Sequence, residues 1–126
     1  MLVIIERIED LFDESVVEEM LSYIDQERGV CHFNAAEIAR EFSDWEVTYV
    51  EGYINGIGHA INSYTDGEGK KHYFDITQEK FKDDVVFIHE FDTVKEFTYE
   101  EVNQAFLSEG RTRLLAVETY VPRETL

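Results

Sequence analysis

The order of helical and strand-like patterns in this chain predicts an α+β fold. Amphipathic helical spacing occupies residues 15–27 and 32–42, and strand-like alternation begins at residue 45. Short turn sequences containing glycine join the strand-like segments, which is typical of hairpins and therefore of an antiparallel sheet. We expect N-terminal helices, one bearing a cysteine at its start, packed on an antiparallel β-sheet.

Composition narrows the class of protein. The 126 residues are 44% hydrophobic, which predicts one domain spanning residues 1–126 with a core of its own. Twenty-eight acidic against eleven basic residues give a net charge of −17, so we expect neither nucleic acid nor an anionic membrane as a direct partner. Signal-peptide features and long apolar runs are lacking, and the single cysteine cannot form an internal disulfide, so we expect a cytoplasmic protein.

The first two elements differ in how clearly they are specified. Residues 2–5 form a short apolar run that fits either a strand or the start of a helix. Ser15 and Glu18 match a capping box at the start of the helix over residues 15–27, and Gly29 is a plausible stop.

The second helix carries the only cysteine. Cys31 heads an apolar stripe that continues along residues 32–42. Alternating β-branched and aromatic residues then predict a strand over residues 45–54, followed by an Asn55-Gly56 turn.

The rest of the chain predicts a hairpin and three further elements. The hairpin covers residues 57–77, and residues 85–91 read as another strand. Thr98 and Glu101 form a capping box that opens a helix to about residue 108, which Gly110 ends. The pattern predicts a last strand over residues 114–121.

Within the hairpin, the loop length decides whether His59 and Asp75 can meet. If the two residues are directly opposed, the loop is centred on Gly67 and has three or five residues, and both side chains share one face about 5 Å apart. The alternative is a two-residue Asp66-Gly67 turn, which turns Asp75 to the opposite face. Gly69 favours the longer loop, since such loops often need a second residue at positive φ.

A cysteine, a histidine and an aspartate in this order indicate a thiol nucleophile, its base and the group that orients the base. Cys31 lies at a predicted helix start, where free amides and the helix dipole favour the thiolate. Packing of the helix on the hairpin face that holds His59 would bring the thiol to the imidazole. The competing interpretation is structural, because a lone cysteine on an apolar stripe is most often a small buried hydrophobe.

Four segments, GVCHFNAAEIAREF, VEGYI, GHAINSY and HYFDIT, resemble the transglutaminase-like superfamily of papain-type thiol enzymes. The resemblance covers residues 29–77. It implies Cys31 as nucleophile, His59 as general base and then acid, and Asp75 as the residue that orients the imidazole. It also implies a transglutaminase-like domain that acts on an amide or peptide bond through a thioester.

Two features depart from that family or stay open. Ile61 stands where the family commonly has an aromatic residue, which affects how the base is shielded from water. Gln26 and Asn34 are the candidates for completing an oxyanion hole with the Cys31 amide, and each also fits a solvated or capping role.

The remaining expectations concern ligands and partners. Metal-ligand spacings are lacking, so we expect no metal and no cofactor. We expect a protein or peptide substrate, and the acidic net charge favours a basic one. The alternative function is a non-catalytic acidic interaction module of the same fold, occupying a basic or DNA-binding surface of a partner.

Overall fold

The computed structural model describes residues 1–24, 31–84 and 86–109, and these combine helices and strands in an α+β fold. The strands are β1 (Leu2–Glu6), β2 (Val47–Ile54), β3 (Ile57–Thr65), β4 (Lys71–Phe74) and β5 (Glu90–Phe97). The helices are α1 (Ile8–Leu11), α2 (Glu14–Ser22), α3 (Cys31–Glu41), α4 (Ile76–Lys80) and α5 (Tyr99–Glu109). The prediction of the fold class is confirmed.

The sheet closes on itself in the order β1-β4-β3-β2-β5. The expectation of an antiparallel sheet holds for every pair except β1 and β4, which run parallel with Ile5 beside Tyr73. The first strand inserts between β4 and β5, and it is antiparallel to β5. Its direction is set by partners far along the chain, so local turn signals did not reveal the parallel pair.

Apolar side chains fill the barrel, and α3 packs outside it. The interior cluster consists of Val3, Ile5, Val50, Ile61 and Phe91. On the outer face of β3, Ala60 joins Ala35 and Ala39 of α3 in a second cluster. The buried Asn62 Nδ2 donates 2.8 Å hydrogen bonds to the carbonyl oxygens of Ala35 and Thr48, which ties α3 to β2 and β3. The position of α3 is therefore specified by both packing and hydrogen bonds.

The predicted helix starts have different outcomes. The Ser15 capping box is wrong, because α2 begins one residue earlier with Asp13 at its N-cap and ends at Ser22. The Thr98 capping box is confirmed: Glu101 N donates to Thr98 Oγ1 at 3.3 Å, and Thr98 N donates to Glu101 Oε1 at 2.9 Å. Among the described helices, none has the length and apolar character needed to cross a membrane.

The strand predicted over residues 85–91 is wrong in position. The strand in this region is β5, and the backbone of Ile88 bonds instead to the side chain of Gln78. The predicted strand over residues 114–121 and the stops at Gly29 and Gly110 lie outside the described residues.

Turn chemistry defines the two ends of β2. Ser43–Trp45 forms a 3-10 turn, so β2 starts at Val47, two residues later than predicted. Asn55 and Gly56 have φ values of 49° and 78°, as a two-residue hairpin turn requires, and the predicted turn between β2 and β3 is confirmed.

Candidate active site

The hairpin of β3 and β4 has a five-residue loop over residues 66–70, because Thr65 pairs with Lys71. Gly69 has the expected positive φ of 84°, and the Asp66 side chain accepts hydrogen bonds from the backbone of Glu68 and Lys70 at 2.9 Å. The odd loop length is confirmed, and the two-residue turn is excluded.

The register nevertheless differs from the predicted one. The loop is centred on Glu68 and not on Gly67, since the pairs run from Thr65 with Lys71 to Asn62 with Phe74. Continuing this register places Asp75 opposite Ile61, so His59 and Asp75 are diagonal neighbours on one face instead of directly opposed. The face was predicted correctly and the direct opposition was wrong, because the Asp66 side chain draws Lys70 into the loop.

The diagonal arrangement still joins the two side chains. The His59 Nε2 atom lies 2.7 Å from Asp75 Oδ2, and Asp75 is fully buried. Asp75 is also the N-cap of α4, where its Oδ1 accepts a 3.2 Å hydrogen bond from the backbone of Gln78. One carboxylate thus begins a helix and orients an imidazole.

Gln78 also holds that carboxylate, through the same oxygen that His59 contacts. Its Nε2 donates to Asp75 Oδ2 and to the Ile88 carbonyl, both at 2.9 Å. Its Oε1 accepts from the Ile88 amide at 2.7 Å. The side chain therefore couples the Asp75 carboxylate to the segment that precedes β5.

Cys31 is the first residue of α3 and is partly exposed. Its thiol lies close enough to the His59 imidazole for the two groups to shift each other's pKa values. The predicted reason for the proximity of the Cys31 thiol and the His59 imidazole is wrong in one respect. The helix packs on the strand face of Ala60 and Asn62, whereas His59 shares the opposite face with Ile61. Cys31 is therefore near His59 because it is the N-terminal residue of α3 and lies near the start of β3.

The three groups shift one another's pKa values. Burial alone raises the pKa of the Cys31 thiol, but hydrogen bonds with His32 and His59 and their charges outweigh burial and lower this pKa from 9.0 to about 5. Burial alone lowers the pKa of His59, but the charge and hydrogen bond of Asp75, reinforced by Cys31, raise it from 6.5 to about 10. Between these two pH values the site holds a thiolate beside an imidazolium.

The pKa of Asp75 moves in the matching direction. Burial raises it, but the His59 charge and the hydrogen bonds from His59 and Gln78 lower it below its ordinary value of 3.8. At pH values above the acid range, Asp75 is therefore a charged carboxylate while His59 carries its extra proton. A group that orients an imidazolium needs this charge.

One wall beside the imidazole is apolar and closely packed. Gly52 pairs with His59 across the β2–β3 ladder, and a Cβ atom at this position would collide with the carbonyl oxygen of Asp92. The Phe91 ring meets the His59 ring edge-on, with centroids 6.1 Å apart. The glycine of the VEGYI segment allows β2 and β5 to approach behind the histidine.

A second histidine contacts the thiol. The Nδ1 atom of His32 lies 3.4 Å from Cys31 Sγ. His32 is 5% exposed, and among the described residues its Nε2 atom is buried with no hydrogen-bond partner.

Of the two oxyanion candidates, Asn34 lies in the described part of the chain. The buried Asn34 donates from Nδ2 to Thr77 Oγ1 at 3.1 Å, which links α3 to α4. Gln26 lies outside the described residues. The part that either plays in an oxyanion hole stays a prediction.

Sequence reasoning did not identify His32 or Gln78 as parts of this site. For Gln78 a signal existed, because an aspartate followed three residues later by glutamine is a helix-start signature. For His32 the signal was weak, since neighbouring residues on a helix point in different directions. Its contact with the thiol depends on side-chain orientation at the first turn of α3.

Comparisons with known proteins give no relative from which a role could be transferred. No protein-family model, curated protein or solved structure matches this chain. Among the described residues, no group of three or more His, Cys, Asp and Glu side chains is arranged to hold a metal ion.

Proposed function

We propose that this protein is a small transglutaminase-like cysteine enzyme that acts on an amide or peptide bond through a thioester. The observation that carries the proposal is the grouping of three residues: the Cys31 thiol and the His59 imidazole shift each other's pKa values, and His59 Nε2 lies 2.7 Å from the buried Asp75 carboxylate. A structural cysteine needs no charged partner, whereas a nucleophile needs a base and a group that orients the base. The low thiol pKa of about 5 supports the same role.

The chemistry begins with the thiolate. Cys31 Sγ attacks the carbonyl carbon of the substrate and forms a tetrahedral oxyanion. The His59 imidazolium then gives its proton to the leaving amine, and the carbon–nitrogen bond breaks to leave a thioester on Cys31. Since His59 Nε2 is held by Asp75, Nδ1 is the ring nitrogen that carries out this transfer.

The second half of the reaction returns the enzyme to its starting state. Neutral His59 takes a proton from water or from an amine, which attacks the thioester carbonyl. The carbon–sulfur bond breaks, and the thiolate leaves beside the newly formed imidazolium. Water as acceptor gives hydrolysis, and an amine gives acyl transfer.

The oxyanion formed in both halves needs hydrogen-bond donors. Cys31 begins α3, and the first amides of a helix have no acceptor within the helix. We assign the Cys31 amide to the oxyanion, with Gln26 or Asn34 as the second donor. Because Asn34 Nδ2 already donates to Thr77, only its second amide hydrogen is available.

The net charge of the chain supports a protein or peptide substrate of basic character. A net charge of −17 attracts cationic partners over several ångströms and raises their rate of encounter. A nucleophilic cysteine must also stay reduced, which accords with the cytoplasm as the compartment.

Acylation by a chromogenic ester tests the proposal without knowledge of the natural substrate. With p-nitrophenyl acetate at pH 7, we expect a burst of p-nitrophenolate, an acetyl group on the Cys31 peptide by mass spectrometry, and slower turnover. His59→Ala should lower both acylation and deacylation by roughly 100-fold or more, the usual contribution of a general acid–base group. His72→Asn is the matched control, because the recorded ring contacts of His72 are with Glu6, Asp66 and Tyr64.

Two results would contradict the enzyme proposal. The first is acylation of the wild-type protein no faster than acylation of the urea-unfolded chain, whose thiol has an ordinary pKa near 8.5. The second is acylation and deacylation rates of His59→Ala equal to those of His72→Asn. A competing amine such as hydroxylamine, added to the acetylated protein, then separates hydrolysis from transfer.

A groove between α1, α2 and α4 favours a second candidate function, an acidic interaction module. Four apolar side chains line it together with four carboxylates and one lysine. These residues are Ile8, Phe12, Val17, Leu21, Glu9, Glu14, Glu18, Glu79 and Lys82. We propose that such a module would take a basic, amphipathic segment of a partner, including one from a DNA-binding surface.

The two functions are separated by one pair of variants. Binding of a partner that survives Cys31→Ser, weakens with salt, and is lost in Glu14→Lys would favour the module. Binding or turnover that needs Cys31 and is unaffected by Glu14→Lys would favour the enzyme.

A further inference from the structure

Two imidazoles lie near the Cys31 sulfur, and only one of them belongs to the proposed catalytic group. His32 Nδ1 lies 3.4 Å from the sulfur, within the range of hydrogen bonds to sulfur. His59 approaches the same thiol from β3. The sulfur is therefore held from its own helix as well as from the barrel.

The surroundings of His32 leave it few other roles. Among the described residues, Cys31 is its only recorded hydrogen-bond partner, and its buried Nε2 atom has none. Buried polar atoms without partners are uncommon in native structures, because each one lowers stability. An apolar residue could fill this position without loss of packing. The contact with the sulfur is therefore the interaction that needs a histidine here.

The protonation state of the thiol determines the direction of this contact. A thiolate can only accept hydrogen bonds, so an imidazole nitrogen facing it must carry a proton. The Nδ1 atom of His32 is the nitrogen that faces the sulfur. Nδ1 therefore donates, and the tautomer with a bare Nδ1 would direct a lone pair at a negative charge.

We propose that His32 is a positioning residue of the thiol site: its Nδ1–H donates to the Cys31 sulfur and holds the sulfur beside His59. Its significance for turnover depends on the proposed enzyme function, whereas the hydrogen bond itself does not. The bond is strong while the sulfur is a thiolate and weak while it is part of a thioester, because only the thiolate is a charged acceptor. It therefore favours expulsion of the thiolate when the thioester is resolved.

Few charged groups surround the sulfur in the described part of the chain. His32 faces it from α3, and His59 faces it from β3 with Asp75 behind the imidazole. The α4 residue next to Asp75 in this network is the neutral Gln78. The titration of Cys31 can therefore be followed through replacements of these two histidines.

The test measures how fast Cys31, the only cysteine, reacts with 2,2′-dipyridyl disulfide between pH 3.5 and 10. For the wild-type protein we expect a midpoint at about pH 5. His32→Leu removes the donor and should raise the midpoint by about one to two pH units, the size of one hydrogen bond to a charged group. Its plateau rate should rise about 3- to 8-fold, because a more basic thiolate is the stronger nucleophile.

His32→Asn supplies the matched comparison. The amide nitrogen of asparagine can occupy the position of Nδ1, so we expect a midpoint within about half a unit of the wild type. His72→Asn should leave midpoint and plateau unchanged. An unchanged midpoint in His32→Leu, or equal shifts in His32→Leu and His32→Asn, would overturn the proposal.

A measurement on the wild-type protein covers the case in which the variants fail to fold. The ¹⁵N spectrum of the histidine rings at pH 7 reports which nitrogen carries the proton. A protonated Nδ1 on His32 is the expected result, and a bare Nδ1 would refute the proposal. These outcomes are independent of p-nitrophenyl acetate turnover, so a protein that shows the His32 bond and no acylation would contradict only the enzyme function.

Discussion

Replacing Asp75 with asparagine should separate the charge of the orienting group from its shape. The Asp75 carboxylate is the main group that raises the pKa of His59 from 6.5 to about 10, with a smaller contribution from Cys31 and against the effect of burial. Without that charge, burial opposes only the Cys31 contribution, so the His59 pKa should fall by about three units, towards 6.5. At pH 7.5 the imidazole would then be mostly neutral, and the thiol would lose its positive neighbour.

Asparagine also disturbs the hydrogen bonds that Asp75 accepts. Oδ2 receives hydrogen bonds from His59 and Gln78, and Oδ1 receives one from the Gln78 backbone. An amide has only one oxygen, so one of these donors must face an NH₂ group. The lost bond should reduce the free energy of unfolding by about 1–3 kcal/mol.

Two measurements on Asp75→Asn check this reasoning. The NMR titration of the His59 ring gives its pKa, and urea unfolding at pH 7.5 gives the change in stability. The same histidine titration in Asp66→Asn is the control, because Asp66 contacts His72. A His59 pKa that stays near 10 in Asp75→Asn would refute the assignment of its shift to this carboxylate.

Two further predictions concern the fold around the site. Gly52→Ala should lower the free energy of unfolding by about 1–3 kcal/mol, because the added methyl group meets the Asp92 carbonyl. Urea unfolding measures this change, and Gly58→Ala is the control because the space around Gly58 is open. Equal effects of the two variants would count against the close approach of Gly52 to Asp92. The pKa of His72 is raised chiefly by its hydrogen bond with Asp66. The ion pairs of His72 therefore stabilise the fold fully below the pKa that histidine has in the unfolded chain, about 6.5. This stabilisation disappears as the pH rises through the pKa of His72 in the folded protein. The stability lost in His72→Asn should therefore be larger at pH 6 than at pH 9, by about 0.5–1 kcal/mol, and a loss that is independent of pH would refute the pairing.

Much of the local structure was predictable from spacing alone. The helix headed by Cys31, the Asn55-Gly56 turn and the Thr98 capping box were all predicted, because each depends on residues within one or two turns of the chain. The odd loop of the second hairpin was also predictable, since Gly69 supplies the positive φ that such a loop needs.

The failures lie where distant residues replace local preferences. The predicted strand at residues 85–91 is displaced because the Gln78 side chain bonds to the Ile88 backbone. The register of β3 and β4 differs because the Asp66 carboxylate closes a loop that includes Lys70. In both cases a side chain captures backbone groups that a strand ladder would otherwise use.

The candidate site divides along the same line. The sequence by itself determined which reactive groups are present: a cysteine at a helix start, and a histidine and an aspartate on one face of a hairpin. Tertiary structure decided which groups touch, because barrel closure by β1, the packing of α3 through Ala60 and the Gln78 network join residues far apart in the chain. Such contacts form only when separate elements bury their apolar faces together, and no local pattern encodes that choice of partners.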